Sequence, residues 1–229
     1  MKKWEDLPES LRCEQVRPYY DNLKKHEFSI AVKRGLDFVL ALMVLAVLWP
    51  FMVIIGILVG VTSPGGVFFL QERVTTYGRR FRIVKFRTMI PDAQSRGAQV
   101  TSHQDQRVTG IGRFLRKVRL DELPQLFNIL KGDMSIVGTR PEVPRYVEEY
   151  TPQMMATLLM PAGVTSRASI EYKDEEKLLA EGDDVDRIYI EKVLPEKMKY
   201  NLEYLMEYSL GKDFVLMVQT VIAVCRRGG

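Results

Sequence analysis

The chain has 229 residues, 46% hydrophobic and 27% charged, with 33 Lys plus Arg against 29 Asp plus Glu and a formal charge of +4. Its two cysteines and two histidines exclude a disulfide framework, a Cys- or His-built metal centre and a Ser-His-Asp triad, leaving any catalysis to carboxylates and arginines. The mild positive excess points to anionic partners such as phosphates or lipid headgroups.

Residues 1–32 are polar and carry Pro8 and Pro18. Without an early apolar run they read as an N-terminal arm of short helical pieces and not as a signal peptide. A membrane segment is expected over 33–62, because Phe38 to Val61 contains no charge. A straight helix of that length measures about 36 Å, against a bilayer core of about 30 Å. Pro50 sits at its centre, and a mid-helix proline removes a hydrogen bond and crowds the preceding turn. Lys24, Lys25, Lys33 and Arg34 precede the run, and Arg73, Arg79, Arg80, Arg82, Lys85 and Arg87 follow it. Lys and Arg favour the cytoplasmic side, so both flanks ask for the same face. A helix that breaks at Pro50 and re-enters satisfies both; a kinked spanning helix is the alternative.

Residues 63–229 then read as a membrane-associated α+β domain, mostly helical with a small β-hairpin. Val67 to Leu70 and Arg80 to Arg87 read as two strands around the turn at 75–78. Phe81, Ile83, Lys85 and Arg87 share one face of the second strand by the two-residue period. Residues 91–107 read as a loop. Gly112 to Leu120 reads as a basic amphipathic helix, its apolar stripe at Ile111, Phe114, Leu115 and Val118 flanked by Arg113, Arg116, Lys117 and Arg119. Such a helix suits an anionic membrane surface or a solvated face equally. A second helix is expected from Asp121, capped by that residue, with Pro124 in its first turn, a stripe of Leu123, Leu126, Phe127 and Leu130, and Gly132 at its end. Gly138 to Pro144 is a proline-stiffened loop. Residues 171–187 are acid-rich and expected to be exposed. Phe214 to Val224 is apolar but too short to span, which suits a buried or interface-lying helix.

Asp121-Glu122 is the focal pair. Carboxylates at a helix N-terminus are favoured in the ionised state, and an ionised carboxylate can bind a divalent metal or act as a nucleophile. An acidic first turn is also ordinary helix grammar. The surrounding cations shift the balance, since arginine forks grip phosphate oxygens and lysine supplies a point charge. Carboxylates and cations beside a membrane anchor suggest phosphoryl chemistry with a divalent metal at the bilayer surface. The chain has no Walker-type loop, and its basic run lacks the interleaved aromatics that would suggest nucleic acid.

Several stretches resemble the monotopic phosphoglycosyl transferases, the bacterial sugar transferases that initiate surface glycan assembly. They are Lys33-Arg34 with Asp37, Lys85-Phe86-Arg87-Thr88-Met89, Gly112-Arg113-Phe114-Leu115-Arg116, Leu120 through Leu126, and Lys131 through Ser135. The resemblance implies transfer of a phosphosugar from a nucleotide-activated sugar, usually a UDP-sugar, to an aspartate, and then to polyprenyl phosphate such as undecaprenyl phosphate. It implies Asp121 as nucleophile and Glu122 at a Mg²⁺ site with Asp121. Lys85, Arg116 and Arg140 would hold phosphates, and Pro50 would mark the break of a re-entrant helix. It also implies a bacterial inner (cytoplasmic) membrane location with the catalytic domain on the cytoplasmic face, and leaves homo-oligomerisation open. Departures fall at Trp49-Pro50, at Thr139-Arg140-Pro141 and at Met160 through Ser166, where the family's leading arginine is absent and Arg167 is the nearest substitute. A transferase that moves the sugar without its phosphate, and a catalytically silent scaffold, are the rivals.

Overall fold

The computed structural model describes residues 1–63, 65–91, 93, 106–172, 179 and 184–228, with side chains to residue 223. The expected loop at 91–107 and acid-rich stretch at 171–187 lie largely outside these residues.

The short helical pieces expected near the N-terminus are present and packed. Two 3₁₀ turns lead into α1 (Arg17–Lys25). Leu7, Leu11, Val16, Tyr20 and Leu23 join Val137, Leu158, Leu159, Tyr204, Leu205 and Leu216 in the largest buried cluster. Then comes α2 (Glu27–Thr62), one helix of 36 residues with Pro50 inside it. The helix break expected at Pro50 is therefore absent from the backbone. Proline deletes only its own bond to the carbonyl of Ala46, and the bonds of the flanking residues carry the helix past it. Only 11% of the most apolar stretch of α2 is buried, so Phe38, Leu42, Val47, Phe51, Ile54 and Ile57 face outward.

Strands β1 (Phe68–Val74) and β2 (Arg80–Phe86) form the expected antiparallel hairpin, with Phe68 opposite Phe86 and Val74 opposite Arg80. A second sheet, not foreseen from the sequence, pairs β3 (Met134–Val137) in parallel with β4 (Ala162–Thr165). Its strands are four residues each, too short for a two-residue alternation to show. Between the sheets lie α3 (Gly110–Lys117) and α4 (Gln125–Lys131). After β3 come α5 (Pro144–Val147), then β4 and α6 (Arg167–Glu171). Val185–Ile188 (α7) continues through a π turn at Tyr189–Val193 into α8 (Leu194–Met206), and α9 (Leu210–Gly228) ends the chain. The apolar face of α9 is outward, with Phe214 and Val221 each 63% exposed, which fits an interface-lying helix.

The second helix does not start at Asp121. Leu120–Glu122 is a 3₁₀ turn, and α4 begins at Gln125. Pro124 stands immediately before α4, a position where its missing N–H costs nothing. The chain there closes i to i+3, with Leu123 N donating to Leu120 O and Leu126 N to Leu123 O. Leu123, Leu126 and Leu130 of the expected stripe pack against the core clusters, but Phe127 is exposed, and Gln125, Asn128 and Ile129 are buried in addition. The Asn128 amide accepts from Val84 N (3.0 Å) and donates to Arg82 O (2.8 Å), satisfying the outer edge of β2.

Buried charges clamp α2 to this body. The Asp37 carboxylate accepts from Ser135 Oγ (2.6 Å) and Ile136 N (3.2 Å). Lys33 pairs with Asp213 of α9 (2.8 Å) and lies 3.9 Å from Asp37. Arg34 donates to the carbonyls of Ile129 (2.5 Å) and Met134 (2.9 Å). Removing one member of such a set leaves buried donors unmatched. Asp37→Ala is expected to cost about 3 kcal/mol or more, lowering the melting temperature of purified protein by roughly 6–12 °C. A shift under about 2 °C would show that the clamp contributes nothing measurable.

Candidate active site

The site is assembled from four segments: β2, the turn between α3 and α4, the loop after β3, and β4. The turn depends on Arg119, a non-glycine residue in the left-handed region (φ 57°). That conformation costs on the order of 1–2 kcal/mol. It ends α3 and turns the chain inward, so that Asp121 is buried with 7% of its surface exposed.

Glu122 is the centre of the cluster. Lys85 Nζ lies 2.9 Å from its Oε1, and Arg140 forks onto the same carboxylate, Nη2 to Oε1 and Nη1 to Oε2. Arg119 Nη1 adds a third cation at 3.4 Å. Burial pushes the Glu122 carboxyl toward the neutral form, but Arg140 and Lys85 overcome it and hold the group well below the usual carboxylate range. Asp121 behaves oppositely. Burial raises its pKa first and the adjacent Glu122 charge second, against the pull of Lys85, Arg116 and Arg140. Among the described residues the Asp121 carboxylate accepts no hydrogen bond. One carboxylate is thus a fixed anion bonded by cations, and its neighbour is a desolvated nucleophile candidate with cations nearby.

The loop that presents Arg140 has no regular structure, yet it is anchored on every side. Gly163 N donates to Thr139 O (2.8 Å), Val74 N to Glu142 O (3.0 Å), and Arg73 Nη1 to Pro141 O (3.0 Å). The buried Glu142 carboxylate accepts from Tyr189 Oη (2.6 Å), with Lys197 at 3.6 Å and Arg73 at 3.8 Å. Val164 O of β4 receives a further bond from Arg140 Nη1 (3.3 Å). A side chain on Gly163 would meet Gly138 N at 2.2 Å, so the crossing of β3 and β4 beside this loop requires glycine.

Lys85, Glu122 and Arg140 therefore come together directly, with Asp121 beside them. Arg116 reaches Asp121 through its charge and bonds Thr88 Oγ1 (2.8 Å). Arg87 does not join its strand neighbour Lys85; its guanidinium bonds the carbonyls of Gly66 and Phe68. Arg167 pairs with Glu171, Glu203 and Glu207. Arg119 is the residue whose role the sequence concealed. Its side chain looked like one more cation on a basic helix, and nothing local signalled its left-handed turn. As for a metal, both Glu122 oxygens are held by cations, and no group of three or more His, Cys, Asp or Glu gathers among the described residues. As seated, Glu122 does not fit a Mg²⁺ ligand.

The family profile described as bacterial sugar transferase matches residues 28–227. The chain belongs to that family. It is 36% identical over 193 residues to the UDP-N-acetylgalactosamine-undecaprenyl-phosphate N-acetylgalactosaminephosphotransferase of Aeromonas hydrophila, covering 83% of this chain and 43% of that protein. The UDP-glucose:undecaprenyl-phosphate glucose-1-phosphate transferase of Escherichia coli is 33% identical over 193 residues, covering 83% and 39%. The exopolysaccharide production protein ExoY of Rhizobium meliloti is 32% identical over 212 residues, covering 86% and 87%. The chain thus spans less than half the length of the first two relatives and nearly all of the third.

The raised Asp121 pKa has a kinetic consequence. If Asp121 must be ionised to react, the rate of its reaction falls as pH drops through that raised pKa, above the ordinary aspartate value of roughly 3.9. Glu122→Gln removes the neighbouring negative charge and releases Lys85 and Arg140 toward Asp121. Both effects lower the Asp121 pKa, so the acid limb of a single-turnover rate profile should move to lower pH. An unmoved limb would contradict the coupling.

Proposed function

We propose that the chain transfers a phosphosugar from a UDP-sugar to polyprenyl phosphate through a covalent Asp121 intermediate, releasing UMP. The observation that carries this reading is the pairing of a buried, unbonded Asp121 with a Glu122 locked among Lys85, Arg119 and Arg140. An Asp121 oxygen attacks the phosphorus bonded to the sugar. The bond to the bridging oxygen breaks, and that oxygen leaves with UMP. An oxygen of polyprenyl phosphate then attacks the same phosphorus and expels the Asp121 carboxylate, giving polyprenyl-diphosphate-sugar. Lys85, Arg116 and Arg140 neutralise the phosphate oxygens as charge develops, where a dry site makes each contact strong. The relatives' names support the two substrates and differ in the sugar, so the sugar is left as a class. The name of the Rhizobium relative supports a place in exopolysaccharide production. Mg²⁺ remains part of the proposal as a counter-ion carried by the donor's diphosphate, with Glu122 as seated not assigned as its ligand.

The topology proposed is re-entrant in the sense that both ends of α2 stay on one side, the cytoplasmic face of the bacterial inner membrane, although the helix is not broken at Pro50. Both halves of α2 pack on the same body: Ala41 against Phe81, Ile83 and Met134, and Met52, Ile55 and Val59 against Phe86 and Leu115. Ala41 to Val59 covers about 27 Å of helix, nearly a full hydrocarbon core. Were α2 upright across the bilayer, Lys85 and the Asp121 turn would lie at hydrocarbon depth, which charged groups resist. A shallow path with the outward apolar face in lipid avoids that cost.

Asp121→Asn is expected to fold and bind membranes but to lose turnover and the phosphosugar adduct seen by mass spectrometry on wild type given donor alone. Substantial turnover in this variant would reject the nucleophile. Release of UDP in place of UMP would support transfer of the sugar without its phosphate. For topology, Cys13 and Cys225 should both resist a membrane-impermeant maleimide on intact cells and become reactive after permeabilisation. Labelling of Cys13 in intact cells would reject re-entry and leave the chemistry standing.

A further inference from the structure

Thr88 lies two residues beyond the end of the strand that carries Lys85 and is buried, with 6% of its surface exposed. Its hydroxyl accepts from Arg116 Nε at 2.8 Å. Its carbonyl accepts Thr109 N (2.9 Å) and the Thr109 hydroxyl (3.3 Å), and Thr109 caps α3 by accepting from Gly112 N (3.1 Å). A side chain on Gly112 would meet Thr88 O at 2.2 Å, so the first turn of α3 is pressed onto this one residue. Thr88 therefore ties the strand carrying Lys85 to the helix carrying Arg116, once through its backbone and once through its side chain. The side-chain bond has a particular chemical effect. A guanidinium held at Nε by a fixed acceptor loses rotation about its last bonds, and the plane of its two Nη groups is set before any phosphate arrives. A bidentate fork is worth most when it is preorganised in this way.

We infer that Thr88 is a positioning residue for phosphoryl transfer, acting through Arg116 by orienting its guanidinium toward the phosphates that Asp121 attacks. This inference rests on the phosphate role proposed for Arg116. Thr88→Val keeps the shape and removes the hydroxyl, while Thr88→Ser keeps the hydroxyl and removes a methyl group.

The test measures UMP release and adduct formation with UDP-N-acetylgalactosamine and with UDP-glucose, alongside melting temperatures of each variant. Thr88→Val is expected to lose about tenfold in kcat/KM for the donor, which is about 1.4 kcal/mol, with an unchanged melting temperature. Thr88→Ser should recover most of that loss. In an Arg116→Lys background, which has no Nε–H fork to orient, Thr88→Val should change the rate by less than twofold. Should Thr88→Val fail to fold, Thr88→Ala supplies the same comparison. A wild-type rate in the hydroxyl-less variant, or an equal tenfold loss in the Arg116→Lys background, overturns the inference and leaves the reading of the site intact. A wild-type rate in Arg116→Lys overturns the phosphate role of Arg116, and this inference with it.

Discussion

The carboxylate of Glu122 is the constraint on which the catalytic region depends. Three cations from three different segments converge on it: Lys85 from β2, Arg119 from the turn itself, and Arg140 from the loop after β3. Without that anion the same cations would repel one another in a largely dry site, and each of the segments would lose its common point of attachment. The cost is local strain, a left-handed arginine and a helix that cannot begin until Gln125. What the strain secures is an adjacent carboxylate that is buried without being neutralised. The two neighbours shift in opposite directions because Glu122 is bonded by the cations, whereas for Asp121 burial and the Glu122 charge outweigh their pull.

The long helix α2 is tied to this arrangement in a way that composition does not suggest. Its apolar surface faces outward along most of its length, yet its start carries Lys33, Arg34 and Asp37, all bonded into β3, α4 and α9. The long apolar helix and the body it packs on therefore share buried polar contacts, so α2 is not a separate arm on a flexible leash. Farther along, the small face offered by Gly56 and Gly60 lets Val67 approach the helix closely. The hairpin that delivers Lys85 is thereby held against the second half of α2.

Much of this was legible in the sequence, for reasons that differ by element. The uncharged run from Phe38 to Val61 and the β1–β2 hairpin carry strong periodic or compositional signals over many residues, and both are found. The Asp-Glu pair and Lys85 were legible from chemistry, and Arg140 from the proline-stiffened loop around it. What escaped is what depends on partners far along the chain. The parallel pair of β3 and β4 consists of strands too short to declare a period. The burial of Asn128 on α4, where it serves the edge of β2, is foretold by no hydrophobic period. Pro50, whose sequence suggests a stop, is absorbed within a continuous helix. Arg119 and Thr88 were visible as residues but not as devices, since a backbone angle and a bond to Nε leave no trace in spacing.

The pairing of Lys33 with Asp213 has a consequence for biogenesis. The two residues are 180 positions apart (213 − 33), so a ribosome working at about 5–20 residues per second needs on the order of ten seconds or more between them. Throughout that interval the only acidic partner of Lys33 already made is Asp37, four residues along the same helix. The junction of α2 and α9 therefore closes only once the last helix exists, and it ranks among the latest contacts of the fold to form.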